Sequence, residues 1–207
     1  DIDADKLTHI QADATYASLS QMLDHEQLDG VAIVTPPSTH IELARETLAH
    51  SIPILVEKPL ALDHEVANDF LTSLNEKTVL VVGYILRHHY AIKHLQTSRI
   101  KDLLGDLRSV HYQRQTVRER PTGAQPISTL GVHALDLIAW LLDQSLMSGE
   151  VVKKSTTADT ATVNLTFPSG QEGSFEVAWS ASQERRLLHV EGTLGQGTLD
   201  FGTGDID

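Results

Sequence analysis

The chain has 207 residues, of which 41% are hydrophobic and 21% charged, a composition typical of globular proteins. Its formal net charge of −12 argues against nucleic acid or an anionic membrane as a partner, because both bind clustered positive charge. The sequence has no cysteine, which excludes disulfides and thiolate chemistry, and no apolar run of about 18 residues that would cross a membrane. We expect a cytoplasmic protein that binds neither nucleic acid nor membrane.

The first part of the chain alternates between apolar runs and helical patterns. The apolar runs Val31–Thr35, Ile54–Val56 and Thr78–Gly83 predict short strands that are buried on both faces. Helical patterns occupy Thr39–His50 and Asp63–Glu76, between these strands. The order strand, helix, strand, helix, strand predicts a parallel sheet with right-handed crossovers.

Local signals support both helices. Thr39 is predicted to be the N-cap of the first helix, with Glu42 three residues later completing a capping box. The second helix is predicted to bury a single stripe of apolar side chains, formed by Val66, Ala67, Phe70, Leu71 and Leu74.

The tripeptide Glu57-Lys58-Pro59 directly follows the second apolar run. In open α/β sheets the ligand crevice lies beyond the carboxyl ends of the strands, which is where this lysine is expected. A lysine there can donate hydrogen bonds to a substrate hydroxyl, and its pKa falls readily when water is removed. On the tripeptide alone, a surface lysine beside a loop proline is an equally good interpretation.

From about residue 103 the pattern changes to that of an antiparallel sheet with one covered face. The alternation of Thr160–Phe167 predicts one strand, and Phe175, Val177 and Trp179 alternate on the returning strand. Further strands are predicted over Asp106–Glu119, Arg186–Val190 and Thr198–Phe201, with a turn at Gly195–Gly197 and a loop at Pro121–Pro126.

The segment Ser128–Asp143 predicts a buried helix, since it is apolar nearly all round. Thr129, His133 and Asp136 nevertheless fall at i, i+4 and i+7, which places them in one polar stripe. Buried polar groups are costly without partners, so this stripe is either a satisfied structural network or a functional site.

The sequence resembles the glucose–fructose oxidoreductase, inositol dehydrogenase and MocA family of nicotinamide-dependent sugar oxidoreductases. Four blocks carry the resemblance, DGVAIVTPPSTH (29–40), ILVEKPLAL (54–62), VVGYILR (81–87) and LGVHALDLIAWLL (130–142). The resemblance implies an α/β plus α+β fold. Residues 1–84 are expected to form a Rossmann domain that lacks its first strand and glycine turn, because no G-x-G-x-x-G motif occurs in the sequence. Residues 85–207 are expected to form an antiparallel-sheet substrate and oligomerisation domain that is incomplete at its carboxyl end.

The resemblance also implies roles for individual residues. It assigns catalysis to Lys58 and His133, with Thr129 at the position where the family commonly has an aspartate. A hydroxyl there can hydrogen-bond to the histidine, but it cannot share a charge with it as a carboxylate does. The remaining assignments are to cofactor binding, by Asp1, Thr35, Pro36, His40, Glu57 and Lys58, and to substrate binding, by Arg87, Asp136 and Arg186.

The function that the resemblance implies is hydride transfer between NAD or NADP and a secondary hydroxyl of a sugar, nucleotide sugar or cyclitol. The segment Val163–Phe201 looks most like members that oxidise the 3-hydroxyl of UDP-N-acetylglucosamine-type sugars, and arginines such as Arg186 suit a diphosphate. We expect a homo-oligomer formed through the antiparallel sheet. No metal site is expected, because the histidines lack ligand spacing with carboxylates. The alternative is a catalytically inactive or truncated homologue that acts as a dimerising scaffold.

Overall fold

The computed structural model of the protein describes residues 3–207, so Asp1, assigned above to cofactor binding, lies outside the described residues. The chain divides into two compact units, the first ending at Gly83 and the second running from Tyr84 to Asp207. Within residues 3–207, no helix is long and apolar enough to cross a membrane.

The first unit is built on a three-stranded parallel sheet, as predicted. Its elements are α1 (Ala4–Leu7), α2 (Leu19–His25), β1 (Val31–Ile33), a 3-10 turn (Pro37–Thr39), α3 (His40–Ala49), β2 (Ile54–Val56), α4 (His64–Thr72) and β3 (Leu80–Val82). Strand β2 lies in the centre, with Ile54 paired to Val31 on one side and to Leu80 on the other. The strands are three residues long, shorter than the apolar runs that predicted them.

Only one face of this parallel sheet is covered by the described residues. Ile54 and Val56 are buried in a cluster that includes Phe70 of α4, whereas Leu55 and Val81 are 42% and 48% exposed. The prediction that the strands are buried on both faces is therefore wrong for the described chain. Side chains alternate between the faces of a strand, and α3 and α4 supply apolar cover on one side.

The capping box predicted for α3 is also absent. Thr39 has a helical backbone conformation and makes no side-chain cap; its hydroxyl donates to the carbonyl of Pro36, at 2.9 Å. The turn Pro37–Thr39 precedes the helix, so the chain is already coiled where the cap was expected. In α4 the N-cap is Asp63, and Phe70 is buried. Of the predicted stripe, Val66 and Leu71 remain largely exposed.

The second unit combines helices with a six-stranded sheet. Its elements are a 3-10 turn (Ile85–His88), α5 (Tyr90–Leu95), α6 (Ser98–Leu104), β4 (Leu107–Gln115), a π-helical turn (Ile127–Gly131), α7 (Val132–Leu142), a 3-10 turn (Leu146–Ser148), β5 (Glu150–Thr156), β6 (Thr160–Thr166), β7 (Glu172–Ala178), β8 (Arg185–Gly192) and β9 (Gln196–Asp200). Strand β5 was not predicted, and the bend between β8 and β9 falls at Thr193–Leu194, slightly before the predicted turn.

The strand order of the second sheet is β5-β6-β7-β4-β8-β9, and all but one of its pairings are antiparallel. The exception is β4 with β7, which run parallel, so the sheet is mixed and not purely antiparallel as predicted. The connection from β4 passes through α7 before the chain returns in β5, β6 and β7, and a helical crossover of this kind permits a parallel pair. The predicted alternation is confirmed by the side chains buried under α7, which include Ala161, Val163, Leu165, Phe167, Phe175 and Val177.

The helix predicted over Ser128–Asp143 has two parts. Its first turn, Ile127–Gly131, is π-helical, and the α-helix begins only at Val132. Gly131 packs so closely on β7 that a Cβ atom there would lie 2.9 Å from the ring of Phe175. The regular 3.6-residue period assumed for the polar stripe therefore does not hold around Thr129.

Candidate functional site

The candidate residues of the first unit follow the carboxyl ends of its parallel strands. Thr35 and Pro36 come after β1, Glu57 and Lys58 after β2, and Gly83 after β3. The carboxylate of Glu57 accepts a hydrogen bond from the backbone N–H of Lys58, at 3.2 Å. A Cβ atom on Gly83 would lie 3.3 Å from Glu57 Oε1, so the missing side chain leaves room for this carboxylate. These strand ends form the edge where ligands bind in open α/β sheets.

Lys58 has the electrostatic character expected of a proton-transfer group. Its side chain is half-buried, and burial lowers the pKa of the ammonium below its ordinary value, while the charge of Glu57 opposes this shift. Removal of water disfavours the charged form of an amine. Lys58 is therefore closer to its neutral, proton-accepting form than a surface lysine is.

His40 is fully buried at the start of α3. Its Nδ1 lies 2.8 Å from the carbonyl oxygen of Pro59, and its Nε2 lies 2.8 Å from that of Thr35. The ring thus bridges the chain segments that follow β1 and β2. The cofactor-binding role assigned to His40 from the sequence stays a prediction, and the described contacts of both ring nitrogens are with backbone oxygens.

The candidate residues Thr129 and His133 lie at the junction of the π-helical turn and α7. Thr129 sits within the π-helical turn, and its hydroxyl donates to the carbonyl of Gln125, at 2.5 Å. His133 follows in the first turn of α7 and is partly buried. π-Helical turns often occur at functional sites because they displace side chains from the regular helical positions.

Arg87 and Asp136, separated by 49 residues in sequence, form a partly buried ion pair in the second unit. Arg87 Nε donates to both carboxylate oxygens, at 3.0 and 2.9 Å, and Arg87 Nη2 donates to Asp136 Oδ1. The guanidinium also lies over the rings of Tyr84, at 5.7 Å, and Trp140, at 5.6 Å. The ion pair raises the pKa of Arg87, and the pKa of Tyr84 is raised by burial and then by Asp136.

The sequence proposed Arg87 and Asp136 as separate substrate contacts and gave no sign that they pair. Both oxygens of Asp136 accept hydrogen bonds from Arg87, which ties the turn Ile85–His88 to α7. Direct contact of either residue with substrate stays a prediction.

Arg186, the third proposed substrate contact, lines a cavity of about 770 Å³. Its Nε donates to the hydroxyl of Tyr112, at 3.2 Å, and its guanidinium lies 5.1 Å from the centre of the Phe201 ring. Burial raises the pKa of Tyr112, and Arg186 opposes this shift. No other predicted site residue in the described part of the chain lines this cavity, whose walls include Arg114, Glu184 and Arg185.

Glu184 is a site-organising residue that sequence reasoning missed. Its Oε1 accepts hydrogen bonds from the Thr116 hydroxyl, at 2.7 Å, and from the Val117 N–H, at 3.0 Å, while its Oε2 accepts from Arg114, at 2.8 Å. These bonds lower the pKa of Glu184, with the Thr116 hydroxyl contributing most. A lone glutamate before a strand carries no sequence signal for such a role, because its partners lie about 70 residues away.

Among the residues that the structure describes, no three histidine, aspartate or glutamate side chains form a group that would hold a metal ion.

Comparison with known proteins identifies both units. Residues 4–84 match a family profile described as "Oxidoreductase family, NAD-binding Rossmann fold", and residues 92–197 match the "GFO/IDH/MocA C-terminal domain". The rhizopine catabolism protein MocA of Rhizobium meliloti is 31% identical over 149 residues, which cover 69% of this chain and 47% of the relative.

The UDP-N-acetylglucosamine 3-dehydrogenase of Acidithiobacillus ferrooxidans is 27% identical over 84% of this chain and 56% of its own length. A crystal structure of that enzyme superposes with a TM-score of 0.79 at 25% identity, over 93% of this chain and 64% of the other. The structure of GenD2 from gentamicin A biosynthesis, solved in complex with NAD, superposes with a TM-score of 0.79 at 25% identity, over 95% of this chain and 61% of the other. The chain spans about half the length of the curated relatives it matches, 47% and 56%.

Proposed function

Because the chain belongs to the GFO/IDH/MocA family of oxidoreductases, we propose that the protein is an NAD(P)-dependent dehydrogenase acting on a secondary hydroxyl of a sugar, nucleotide sugar or cyclitol. The observation that carries this proposal is the half-buried Lys58, with its lowered pKa, at the carboxyl edge of a parallel sheet that matches an NAD-binding domain. Residues up to about 84 would bind the cofactor, and residues 85–207 would bind the substrate and form the oligomer.

The residues at the carboxyl edge of the first sheet fit a nicotinamide cofactor. Thr35 and Pro36 are exposed beyond β1, and the small Gly83 leaves the end of β3 open beside Glu57. We assign Thr35, Pro36, Glu57 and Lys58 to holding the nicotinamide half of the dinucleotide. NAD or NADP, when bound, supplies the acceptor for the hydride that leaves the carbinol carbon of the substrate.

The chain itself must remove the hydroxyl proton as the carbinol becomes a carbonyl. Lys58 in its neutral form can accept that proton, and its lowered pKa favours this form. His133 is the second candidate, because imidazole exchanges protons near neutral pH. Lys58 and His133 are therefore the two candidates for the group that takes the proton.

The substrate class follows from the relatives and from the arginines of the second unit. The A. ferrooxidans relative acts on UDP-N-acetylglucosamine, and other relatives are inositol 2-dehydrogenases. Arg186 and Arg114 lie in the wall of the 770 Å³ cavity, and guanidinium groups bind phosphate oxygens in a bidentate manner. These arginines favour a nucleotide sugar over a free cyclitol.

We also propose that a second copy of the chain covers the face of the mixed sheet opposite α7. On this face the rings of His111 and His189 stack at 6.0 Å, and His111 Nδ1 lies 2.8 Å from the hydroxyl of Ser174. Light scattering of the protein expressed from its complete reading frame should give a homo-oligomer, and a monomer at micromolar concentration would contradict this assembly. A cytoplasmic location stays a prediction.

Hydride transfer tests the function directly. Protein expressed from the complete reading frame is incubated with NAD or NADP and a panel of nucleotide sugars, free sugars and inositols, and the nicotinamide absorbance is followed. Lys58→Met should lower kcat by about two to four orders of magnitude, the range for a positioned proton-transfer group. Lys77→Met, which alters an exposed lysine of the same unit, is the matched control and should leave kcat unchanged. A Lys58→Met enzyme with more than half of wild-type turnover would remove Lys58 from the mechanism. A wild-type protein that oxidises none of the panel would favour a non-catalytic scaffold.

A further inference from the structure

The cavity of about 770 Å³ in the second unit is walled by the ends of β4, β8 and β9, at one edge of the mixed sheet. Arg114 of β4 and Arg186 of β8 both lie in this wall, and the two residues are directly opposite each other in the sheet register. Like charges that face each other on neighbouring strands are destabilising, so each guanidinium requires an anion nearby. Within the described chain, only Arg114 has one.

The charge of Arg114 is balanced by Glu184. Arg114 Nη1 donates to Glu184 Oε2, at 2.8 Å, and the other carboxylate oxygen accepts from the Thr116 hydroxyl and the Val117 N–H. These bonds lower the pKa of Glu184, the Thr116 hydroxyl most of all, so the carboxylate is ionised at neutral pH. Arg114 is therefore one half of an ion pair that is fixed to the backbone after β4.

Arg186 makes no ion pair within residues 3–207. Its Nε donates to the Tyr112 hydroxyl, at 3.2 Å, and its guanidinium lies 5.1 Å from the centre of the Phe201 ring. Burial raises the pKa of Tyr112, so the phenol is neutral at neutral pH and does not balance the arginine charge. The terminal nitrogens of Arg186, Nη1 and Nη2, have no hydrogen bond to any described residue. A partly buried guanidinium in this position is stabilised by an anion.

We propose that Arg186 binds the diphosphate group of the substrate through Nη1 and Nη2, whereas Glu184 withholds Arg114 from the ligand and keeps it as part of the cavity wall. Two parallel N–H groups of a guanidinium match two phosphate oxygens. Tyr112 and Phe201 orient this guanidinium before the ligand arrives, which reduces the entropy lost on binding. This assignment rests on the proposed function and deepens it, because it makes a single arginine select nucleotide sugars over free cyclitols.

The other charged groups of the wall are Arg185, which is exposed, and Asp200. Asp200 Oδ1 accepts a hydrogen bond from the N–H of Gly202, at 2.7 Å. Three arginines thus stand against two carboxylates, and the formal charge of the wall is positive. The cavity is also larger than one phosphate group requires, since pockets of about 300–1,000 Å³ hold drug-sized ligands.

Calorimetric titration with inorganic pyrophosphate and with UDP tests this site without turnover, on protein expressed from the complete reading frame. Arg186→Gln should weaken the binding of both compounds by about ten- to a hundredfold, the factor that one hydrogen bond to a charged group contributes. Arg108→Gln is the matched control, because it removes the same charge from an exposed position at the other end of β4, and it should change the Kd by about threefold or less. A wild-type protein that binds neither compound, or equal weakening in the two variants, would overturn the proposal.

The different roles of the two arginines are tested by the double variant Arg114→Gln, Glu184→Gln. It removes the ion pair without changing the net charge, and glutamine at position 184 can still accept a hydrogen bond from Thr116 or Val117. Pyrophosphate binding should stay within about threefold of the wild type. A loss as large as that in Arg186→Gln would refute the assignment to Arg186. If Arg186→Gln does not fold, Arg186→Lys replaces it and should still weaken binding, because an ammonium group lacks the parallel N–H groups of a guanidinium.

Turnover measurements separate this inference from the proposed function. Arg186→Gln should raise the KM for a nucleotide sugar by about ten- to a hundredfold and change kcat much less, because the diphosphate is bound equally in the ground state and the transition state. An enzyme that oxidises nucleotide sugars with an unchanged KM in Arg186→Gln would refute the role of Arg186 and leave the proposed function standing. Binding of pyrophosphate that depends on Arg186, in a protein that oxidises none of the panel, would refute the proposed function and leave the diphosphate site standing.

Discussion

The ion pair between Arg87 and Asp136 should be the most consequential electrostatic contact of the second unit. The side chain of Asp136 is 6% exposed and that of Arg87 is 39% exposed. Asp136→Leu and Arg87→Met each replace one partner with an apolar side chain of similar length. We expect both single changes to destabilise the unit, because each leaves a charge without its partner.

The magnitudes of the two changes should differ. Removing one partner of a fully buried pair costs about 3–5 kcal/mol, and a hydrogen bond to a charged group contributes about 1.5–3 kcal/mol. Asp136→Leu leaves Arg87, which water can reach, so screening reduces its cost to about 2 kcal/mol. Arg87→Met leaves the nearly inaccessible carboxylate of Asp136 and should cost about 3 kcal/mol. The double variant should lose about 1 kcal/mol or less, since two apolar side chains replace the pair.

Urea unfolding followed by tryptophan fluorescence measures these changes in the relevant unit. Both tryptophans of the chain, Trp140 and Trp179, belong to residues 84–207. The slope of unfolding free energy against urea should stay constant if only stability changes. Lys153→Met is the control, because Lys153 is exposed in β5 of the same unit, and it should change the unfolding free energy by about 0.5 kcal/mol or less. If the losses of unfolding free energy in the two single variants simply add in the double variant, the reasoning about the ion pair is refuted.

Three further outcomes follow from individual contacts. Burial raises the pKa of Tyr112 above its ordinary value of 10.0, so above pH 10.0 the unfolded chain loses this proton before the folded one does. The unfolding free energy should therefore fall as pH rises past 10.0, and Tyr112→Phe should reduce this slope in alkaline urea titrations; an equal slope would contradict the burial argument. Gly173→Ala places a Cβ atom 2.3 Å from Ile138 Cγ2 and should cost about 1–3 kcal/mol in urea unfolding. Ile138→Ala should be less harmful in the Gly173→Ala background than alone, and strictly additive losses would count against the clash. In the active enzyme, Thr129→Asp should move the pH–rate profile to higher pH because a carboxylate stabilises protonated His133, and an unchanged profile would mean that the two side chains do not interact.

Patterns set by local periodicity were predictable from the sequence. The alternation in β6 and β7 identified the buried faces of both strands, because successive side chains of a strand point to opposite sides. The order of apolar runs and helical patterns likewise identified the parallel sheet of the first unit. Whether another element covers a strand face is not determined by the local sequence. For this reason Leu55 was predicted to be buried, and it is 42% exposed in the structure.

Departures from regular helix geometry were not predictable in the same way. The π-helical turn at Ile127–Gly131 comes with the close approach of Gly131 to Phe175, a residue 44 positions later in the chain. The 3-10 turn at Pro37–Thr39 displaced the predicted cap of α3. In both places the helix was predicted correctly, but the conformation predicted for its first turn was wrong. Tertiary packing or neighbouring prolines determine the backbone conformation there.

The hydrogen-bond partners of the candidate site residues distinguish their roles better than their residue types do. Sequence reasoning grouped His40, Asp136 and Lys58 as ligand-binding residues because each lies in a segment where ligands are expected. In the structure, both ring nitrogens of His40 contact backbone oxygens, and both carboxylate oxygens of Asp136 accept hydrogen bonds from Arg87. A side chain whose polar atoms are already bound acts on a ligand chiefly by holding its neighbours. Lys58 is half-buried at a strand end, and burial disfavours its charged form. Lys58 therefore stays a candidate for direct chemistry, and the described contacts of His40 and Asp136 hold together the chain segments in which they lie.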